Sequence, residues 1–519
     1  MLFSKQRVTK VIEEQVNSEL DTLAMPDKKP WKRINAVAGL ILALSFGAPG
    51  KFSKNQETDQ NTVITASLLE NVSPVCAYAD EKASVDDQQK LPRIKPEYDP
   101  EELKKLGVDA ELQAKIDMAI DKGVQFFRDN FDEKRKSWVK AYNEKKFYSG
   151  GQHALSLYAL LSAGVDPEDP MILDSLDSKV FKNGLKGFNR TYSQSVAGLA
   201  QIAFIRAVLN KYSDKFKMPN VLKRRVMDSL KKIKSHVEEI EQVMYDKGGW
   251  EYPGHSEVHN QPVDLSNTQY GIYFLYEAKR LVKNQKEKFK DQFDPNFTVP
   301  NEPFVKTLDY ILSSQRDSVG DVKIYREQPD PRYAPIVQQV PARGWGYILD
   351  YRTATSSMTF AALICLTAIK DTYLTDDKLK EDKETLKKID AAILSGVAWI
   401  THRFRADGNQ VDEGAEPEHW KLYAMCNLER FSSLAGINFY TQTLEDGRTW
   451  QRFWYKEGAE FLINFQHSTE GSWPVADELF SSKAIEAAFA LLFLNRHTEK
   501  SKTPVLPEAP VTTGGNTTE

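Results

Sequence analysis

The feature that most limits how this chain can fold is a helix with almost no polar side. It follows a Gly-Trp turn, Gly248-Gly249-Trp250-Glu251-Tyr252, and a polar loop, and runs Ser266-Asn267-Thr268-Gln269-Tyr270-Gly271-Ile272-Tyr273-Phe274-Leu275-Tyr276-Glu277-Ala278. Past Gln269 the apolar residues leave a 3.6-residue stripe and cover most of the circumference, so this helix needs burial on nearly every side. Asp264 or Ser266 is placed to accept from its first free N–H groups. The helix before it is of the opposite kind. Val226, Leu230, Ile233, Val237 and Ile240 step by four, three, four and three, with Lys, Arg and Glu on the other face. That pattern buries one stripe against one neighbouring layer.

The same alternation runs from about Leu112 to His497 and predicts twelve helices in six pairs. The pairs are Ile116–Asn130 with Tyr148–Gly164, Met171–Leu185 with Ser193–Leu209, and Leu222–Tyr245 with the helix from Ser266. Phe304–Gln315 with Ser356–Lys370, Leu386–Phe404 with His419–Leu434, and Tyr455–Phe465 with Ser482–Arg496 complete them. A loop from Arg316 to Tyr351 carries Gly344-Trp345-Gly346-Tyr347, and no stretch alternates with period two long enough to predict a sheet of note. One-sided and all-sided helices in strict alternation pack best as two concentric layers. The expectation is an all-α fold, an α6/α6 toroid of six helical hairpins with the all-sided helices inside. An open superhelix of the same hairpins is the alternative. It needs polar caps at both ends, and the last helix is as apolar as the middle ones, which favours closure.

Lys+Arg 69 against Asp+Glu 73 leaves a net charge of −4, and no basic run is long, so no nucleic-acid partner is expected. Cys76, Cys365 and Cys426 form no metal-ligand spacing, and the last two lie in apolar helical stretches as small core residues. No cofactor or metal is expected. At the N-terminus, Lys28, Lys29, Lys32 and Arg33 precede the apolar run Ile34–Ala48, the layout of a secretory signal or membrane tether at 28–48. The run is short of the about 20 residues that a membrane span needs. Small residues suited to cleavage occur at Ala43-Leu44-Ser45 and Ala77-Tyr78-Ala79. The chain therefore divides into a signal or anchor segment at 1–50, a polar tether at 51–108, the helical domain at 109–498 and a disordered tail at 499–519. Its expected location is the periplasm, the exterior or a membrane surface.

The segment Gly458-Ala459-Glu460-Phe461-Leu462-Ile463-Asn464-Phe465-Gln466, followed by Gly471-Ser472-Trp473, resembles the QW repeat of squalene–hopene cyclases. Weaker copies are Tyr310–Gln315 with Trp345, and Gly248-Gly249-Trp250. Over roughly 112–497 the chain is similar to the terpenoid cyclase and protein prenyltransferase α/α-toroid superfamily. It is similar also to secreted bacterial proteins with prenyltransferase and squalene-oxidase repeats, on the helix Leu422–Arg430. The resemblance implies structural roles for Trp250, Gln315, Trp345, Gln466, Gly471 and Trp473: the Gln caps a helix end, the Trp stacks on it, and outer helices are tied together. Cyclases of the protonating class carry an Asp-x-Asp-Asp-Thr-Ala motif whose middle Asp starts the carbocation cascade. Laid over it, Asp264 and Thr268 match, Ser266 stands where the acid would be, and Asn267 replaces the third Asp. A serine hydroxyl cannot protonate an alkene. The zinc set of the prenyltransferases, an Asp, a Cys and a His, is not found either.

The remaining polar candidates sit at the starts of the all-sided helices. They are Gln152, His153, Tyr192, Gln194, His259, Asp264, Asn267, Ser356, Glu416, His419, Tyr423, Lys483 and Glu486. Helix N-termini gathered at one mouth favour an anionic or hydroxyl-rich ligand. Each candidate has a plain structural reading beside this one. Asp264, Ser266 and Ser356 suit helix caps, and His153 and His419 suit hydrogen-bonded histidines. Glu486 and Lys483 suit an ion pair, and the acidic stretch Asp412–Glu418 suits a solvated loop. Three functions remain open at this stage. One is a binding or scaffold module for a hydrophobic or glycan-like ligand or a protein partner. The others are a cyclase or transferase with a non-standard acid, Asp264, and a carbohydrate-active toroid using Asp264 with Glu416.

Overall fold

A computed structural model describes residues 93–507, apart from 97, 139–148, 184–189, 213–216, 253–262, 289–296, 327–334, 350–352, 413–419, 445 and 476–480. The described residues are mostly helical, as their periodicity predicts. The helices are α1 (Pro100–Lys105), α2 (Ala110–Asp129), α3 (Ser149–Ser162), α4 (Pro170–Asp177), α5 (Lys179–Asn183), α6 (Arg190–Lys211) and α7 (Asn220–Gln242). They continue with α8 (Leu265–Lys288), α9 (Glu302–Ser313), α10 (Ser356–Thr375), α11 (Lys383–Arg403), α12 (Lys421–Ala435), α13 (Trp454–Phe465) and α14 (Lys483–Leu494). The signal-like segment at 28–48 and Cys76 lie outside the described residues. Among the described residues, no helix is long and apolar enough to cross a membrane.

Two expectations need correction. The predicted helix Met171–Leu185 is two short helices, α4 and α5. Ser178 between them has extended backbone (ψ 137°), and its Oγ accepts from Val180 N at 3.1 Å, starting a new helix where one was read. The loops also hold two antiparallel hairpins. β1 (Asp321–Arg326) pairs with β2 (Ile336–Pro341) inside the predicted loop Arg316–Tyr351, and β3 (Tyr440–Thr443) pairs with β4 (Thr449–Arg452). Ribbons this short are marginal alone. They form because they lie on α11, with Ile324 and Val340 buried.

The two helix classes separate as their sequences require. In α10 every residue from Ser356 to Lys370 is buried. In α7 burial follows one stripe, through Leu222, Val226, Leu230, Ile233, Val237 and Ile240. The all-sided helices touch in succession: α3 packs on α6, α6 on α8, α8 on α10, α10 on α12, α12 on α14, and α14 on α3. Close approach of α6 and α8 depends on Gly198, where a Cβ would stand 2.0 Å from the Phe274 ring.

A repeated tie holds the one-sided helices. The indole Nε1 of Trp250 donates to Ile240 O at 2.8 Å, that of Trp345 to Ile311 O at 2.8 Å, and that of Trp473 to Leu462 O at 2.9 Å. Trp138 repeats the bond to Phe127 O at 2.8 Å. Its sequence conceals it, because Lys136 (φ 54°) holds the left-handed position that Gly248 (φ 82°) and Gly471 (φ 70°) hold two residues before Trp250 and Trp473. The amides add links between helices. Gln315 Nε2 donates to Ala392 O of α11 at 3.2 Å, and Gln466 Nε2 to Ala119 O of α2 at 2.9 Å and to Gly471 O at 2.8 Å.

Both ends of the helical region extend beyond their predicted limits. Within the stretch read as a tether, Asp99 caps α1, and Leu103, Leu106 and Val108 are buried. Within the stretch read as a tail, residues 499–507 cross the C-terminal ends of α8, α10 and α12. Arg280 Nη2 donates to Glu499 Oε2 (2.9 Å), Ser501 N to Leu434 O (3.0 Å), Thr503 Oγ1 to Asp371 Oδ1 (2.6 Å) and Lys370 Nζ to Val505 O (3.0 Å).

Candidate functional site at the starts of the buried helices

Asp264 occupies the N-cap of α8. Its Oδ1 accepts from Asn267 N at 2.8 Å and from Ser266 Oγ at 2.6 Å, and its Oδ2 accepts from Asn267 Nδ2 at 2.8 Å. Of the two cap candidates, then, Asp264 accepts and Ser266 supports it. Burial raises the Asp264 carboxyl to about 6, against the pull of these donors and of the Ser266 N–H. Thr268, the other residue matching the cyclase motif, accepts from Trp250 N at 3.2 Å and donates to Asp264 O at 2.7 Å. Thr359 does the same for Trp345 N, at 3.1 Å, at the start of α10. Both matching positions thus serve the turn and the helix start.

Around Asp264 the helix starts are lined with aromatic rings. Tyr192 of α6 lies 5.6 Å from Tyr252 and 4.6 Å from Tyr270 of α8, centroid to centroid. Tyr270 stacks with Tyr423 of α12 at 6.4 Å, and Tyr423 meets Phe489 of α14 at 5.7 Å. A polar tie lies beneath them. Tyr423 OH donates to Gln269 Oε1 at 2.7 Å, Gln269 Nε2 donates to Asn427 Oδ1 at 2.7 Å, and Asn427 Nδ2 reaches Ser357 O at 3.3 Å. This network joins α8, α10 and α12, with every member buried.

The structure brings some of the predicted candidates together and scatters others. Asp264, Asn267 and Tyr423 belong to this cluster. His153 is fully buried away from it, with Nε2 3.1 Å from Ser175 O and its ring between Trp138 and Phe181. Burial lowers its imidazole to about 4. Gln194 faces α7, with Oε1 2.5 Å from His236 Nδ1. Ser356 does not cap α10, because Thr355 accepts from Met358 N at 3.2 Å; Ser356 instead donates to Asn409 Oδ1 at 3.1 Å. Glu486 accepts from Ser481 Oγ at 2.6 Å, and Lys483 pairs with Glu470 at 2.5 Å. Asp412 accepts from Ala354 N (2.7 Å) and Trp399 Nε1 (3.1 Å). His259, Glu416, His419 and the rest of the acidic stretch, 413–418, lie outside the described residues. Among the described residues, no three His, Cys, Asp or Glu side chains gather to hold a metal.

Arg430 escaped the sequence reading. Tyr423, Asn427, Arg430 and Leu434 share a face of α12, at steps of four, three and four. A charge on the inward stripe of an all-sided helix is the signal that marks Arg430. Its guanidinium carbon stands 5.1 Å from the Tyr270 ring centre and 4.8 Å from that of Tyr273, with no solvent exposure. One turn on, Glu277 of α8 takes Arg206 (2.6 Å) and Arg280 (2.9 Å). Burial pushes the Glu277 carboxyl up, but these two guanidinium groups outweigh it and hold it below its ordinary range.

Comparison of the chain with protein-family models, with curated proteins and with solved structures yields no match, so its function rests on the geometry above.

Proposed function

We propose that the helical region is an α6/α6 toroid of the terpenoid-cyclase type that works as a binding module, exported or tethered to a membrane by the segment at 28–48. The succession of contacts from α3 round to α14 and back to α3 supports the toroid, as do the Gln466 and Gln315 ties between one-sided helices. One observation carries the functional half. The acid nearest to the cyclase motif, Asp264, has both oxygens occupied as acceptors in a helix cap, so no carboxylic O–H faces a substrate. A general acid has to present its proton within hydrogen-bond reach of the reacting atom. The scaffold of the cyclases is kept and their proton donor is not. What remains at the helix starts is an aromatic lining over a satisfied polar network, suited to holding a ligand rather than converting it.

The test uses the full chain with squalene and with farnesyl and geranylgeranyl diphosphates, followed by product analysis, beside fluorescence titration of the same compounds and of a glucan oligosaccharide. Saturable binding without product is the expected result. Formation of a cyclised or transferred product, lost in Asp264→Asn, would overturn the reading.

A further inference from the structure

Arg430 is a buried cation without a well-aligned acceptor. Nε, Nη1 and Nη2 all lack a hydrogen-bond partner, and the residue has no exposed surface. The Tyr270 phenol makes a side-chain contact with the guanidinium, but one too poorly aligned to be a well-formed hydrogen bond. The two ring contacts leave this deficit in place: cation–π attraction engages the face of a guanidinium, while its N–H groups point outward along the edge. Nor does a neighbouring carboxylate fill the gap. Glu429, next in sequence, accepts from Thr498 N (3.2 Å), Thr498 Oγ1 (2.9 Å) and Ser433 Oγ (3.1 Å), and stands 3.3 Å from His497. Glu277 is committed to Arg206 and Arg280. Tyr158, Tyr270 and Tyr273 surround the guanidinium as neutral phenols, since burial raises all three. Cys426, one turn earlier on α12, stays a thiol for the same reason, raised to about 11.

An arginine cannot shed its proton, and an uncompensated charge is among the most costly things to bury. We propose that Arg430 is the receptor of a small planar oxyanion, of the formate, acetate or bicarbonate class, bound edge-on to the guanidinium between the tyrosines. The planar fork of a guanidinium matches two oxygens of such an anion in its own plane. Phenol O–H groups around it are donors of the sign that the anion needs. The inference deepens the binding reading by naming a ligand class for the interior of the helical region, and it rests on that reading.

The experiment measures thermal unfolding of the full chain at constant ionic strength while gluconate, a bulky non-planar anion, is replaced by formate, acetate, bicarbonate or nitrate. In parallel, ¹³C-formate is observed by NMR as the protein is added. A saturable rise in melting temperature with the planar anions, and broadening of the formate line reversed by acetate, are expected. Arg430→Met should abolish both, and Arg430→Lys, which keeps the charge but not the fork, should weaken them. Identical melting in every salt together with an unbroadened formate line overturns the proposal. So does an unchanged response in Arg430→Met. If that variant does not fold, the wild-type NMR titration and Arg430→Lys still decide. Turnover of an isoprenoid would remove the binding reading and leave these outcomes as they are, so the two failures are distinguishable.

Discussion

Gln466 Nε2 donates to Ala119 O at 2.9 Å, across 347 residues of sequence, joining the end of α13 to the middle of α2. The same amide holds Gly471 O at 2.8 Å, so it links the last Gly-x-Trp turn to the first long helix. Replacing Gln466 by Leu keeps the shape and removes both bonds, leaving each carbonyl with one donor fewer. A loss of about 1–3 kcal/mol is expected in urea unfolding of the full chain. Gln315→Leu, whose bonds are 3.2 and 3.4 Å long, should cost less. Equal stability of Gln466→Leu and wild type would dismiss the tie.

The close approach of α6 and α8 predicts a strong size effect. At Gly198 a Cβ lies 2.0 Å from the Phe274 ring, so Gly198→Ala forces the two helices apart despite alanine's better helix propensity. Overpacking of this kind costs roughly 1–3 kcal/mol. Phe274→Leu in the same chain should recover part of the loss, and non-additivity in the double-mutant cycle is the measurement. Strict additivity would show that the contact is not the cause.

Asp264 predicts a pH effect with a definite sign. Unfolded, its carboxyl titrates near the ordinary 3.8, and folded it titrates near 6 because burial opposes the charge. Between these values the folded chain binds the proton more tightly. Its contribution to stability is therefore present below about 3.8 and is lost as the pH rises through about 6, with a span of up to roughly 3 kcal/mol. Asp264→Asn should flatten this limb. The substitution is tolerable because Asn267 Oδ1 has no donor and can turn to face the new amide. An unchanged pH profile in the variant would assign the limb elsewhere.

Glu277 behaves in the opposite sense. Held below its ordinary 4.5 by Arg206 and Arg280, it contributes stability above that value, which is lost as the pH falls through its lowered folded value. Glu277→Gln leaves half-buried Arg206 and Arg280 with only the exposed Glu499 as a carboxylate partner and should cost about 1–3 kcal/mol. Recovery in Glu277→Gln combined with Arg206→Met, seen by chemical denaturation, would identify the stranded charge as the reason. A Glu277→Gln protein as stable as wild type would contradict it.

Cys365 and Cys426 are fully buried, and burial raises both thiols. In a Cys76→Ser background, neither should react with a thiol reagent in the native chain, and both should react after denaturation. Fast labelling under native conditions would show that the interior opens.

The helix classes were readable in advance because amphipathicity is local. Five apolar residues on one stripe of α7 and an unbroken apolar run in α10 state how many sides need covering, whatever covers them. The turns were readable where Gly preceded Trp, but not at Trp138, where Lys136 takes the left-handed backbone. The hairpins escaped because strands of four to six residues carry little pattern of their own and are held by α11. The site was less accessible still. Asp264 as a cap follows from its position before a helix, but the commitment of both its oxygens depends on how Ser266 and Asn267 turn.

By itself, the sequence determined where the long helices lie, which of them need burial all round, and which turn residues recur. These follow from side-chain polarity at fixed spacing. Only the tertiary structure decided that α14 meets α3, that Gln466 reaches Ala119, and that Arg430 lies among tyrosines with no carboxylate hydrogen-bonded to it. Each of those depends on segments tens to hundreds of residues apart, and whether a buried charge is satisfied is settled by what the rest of the chain brings beside it.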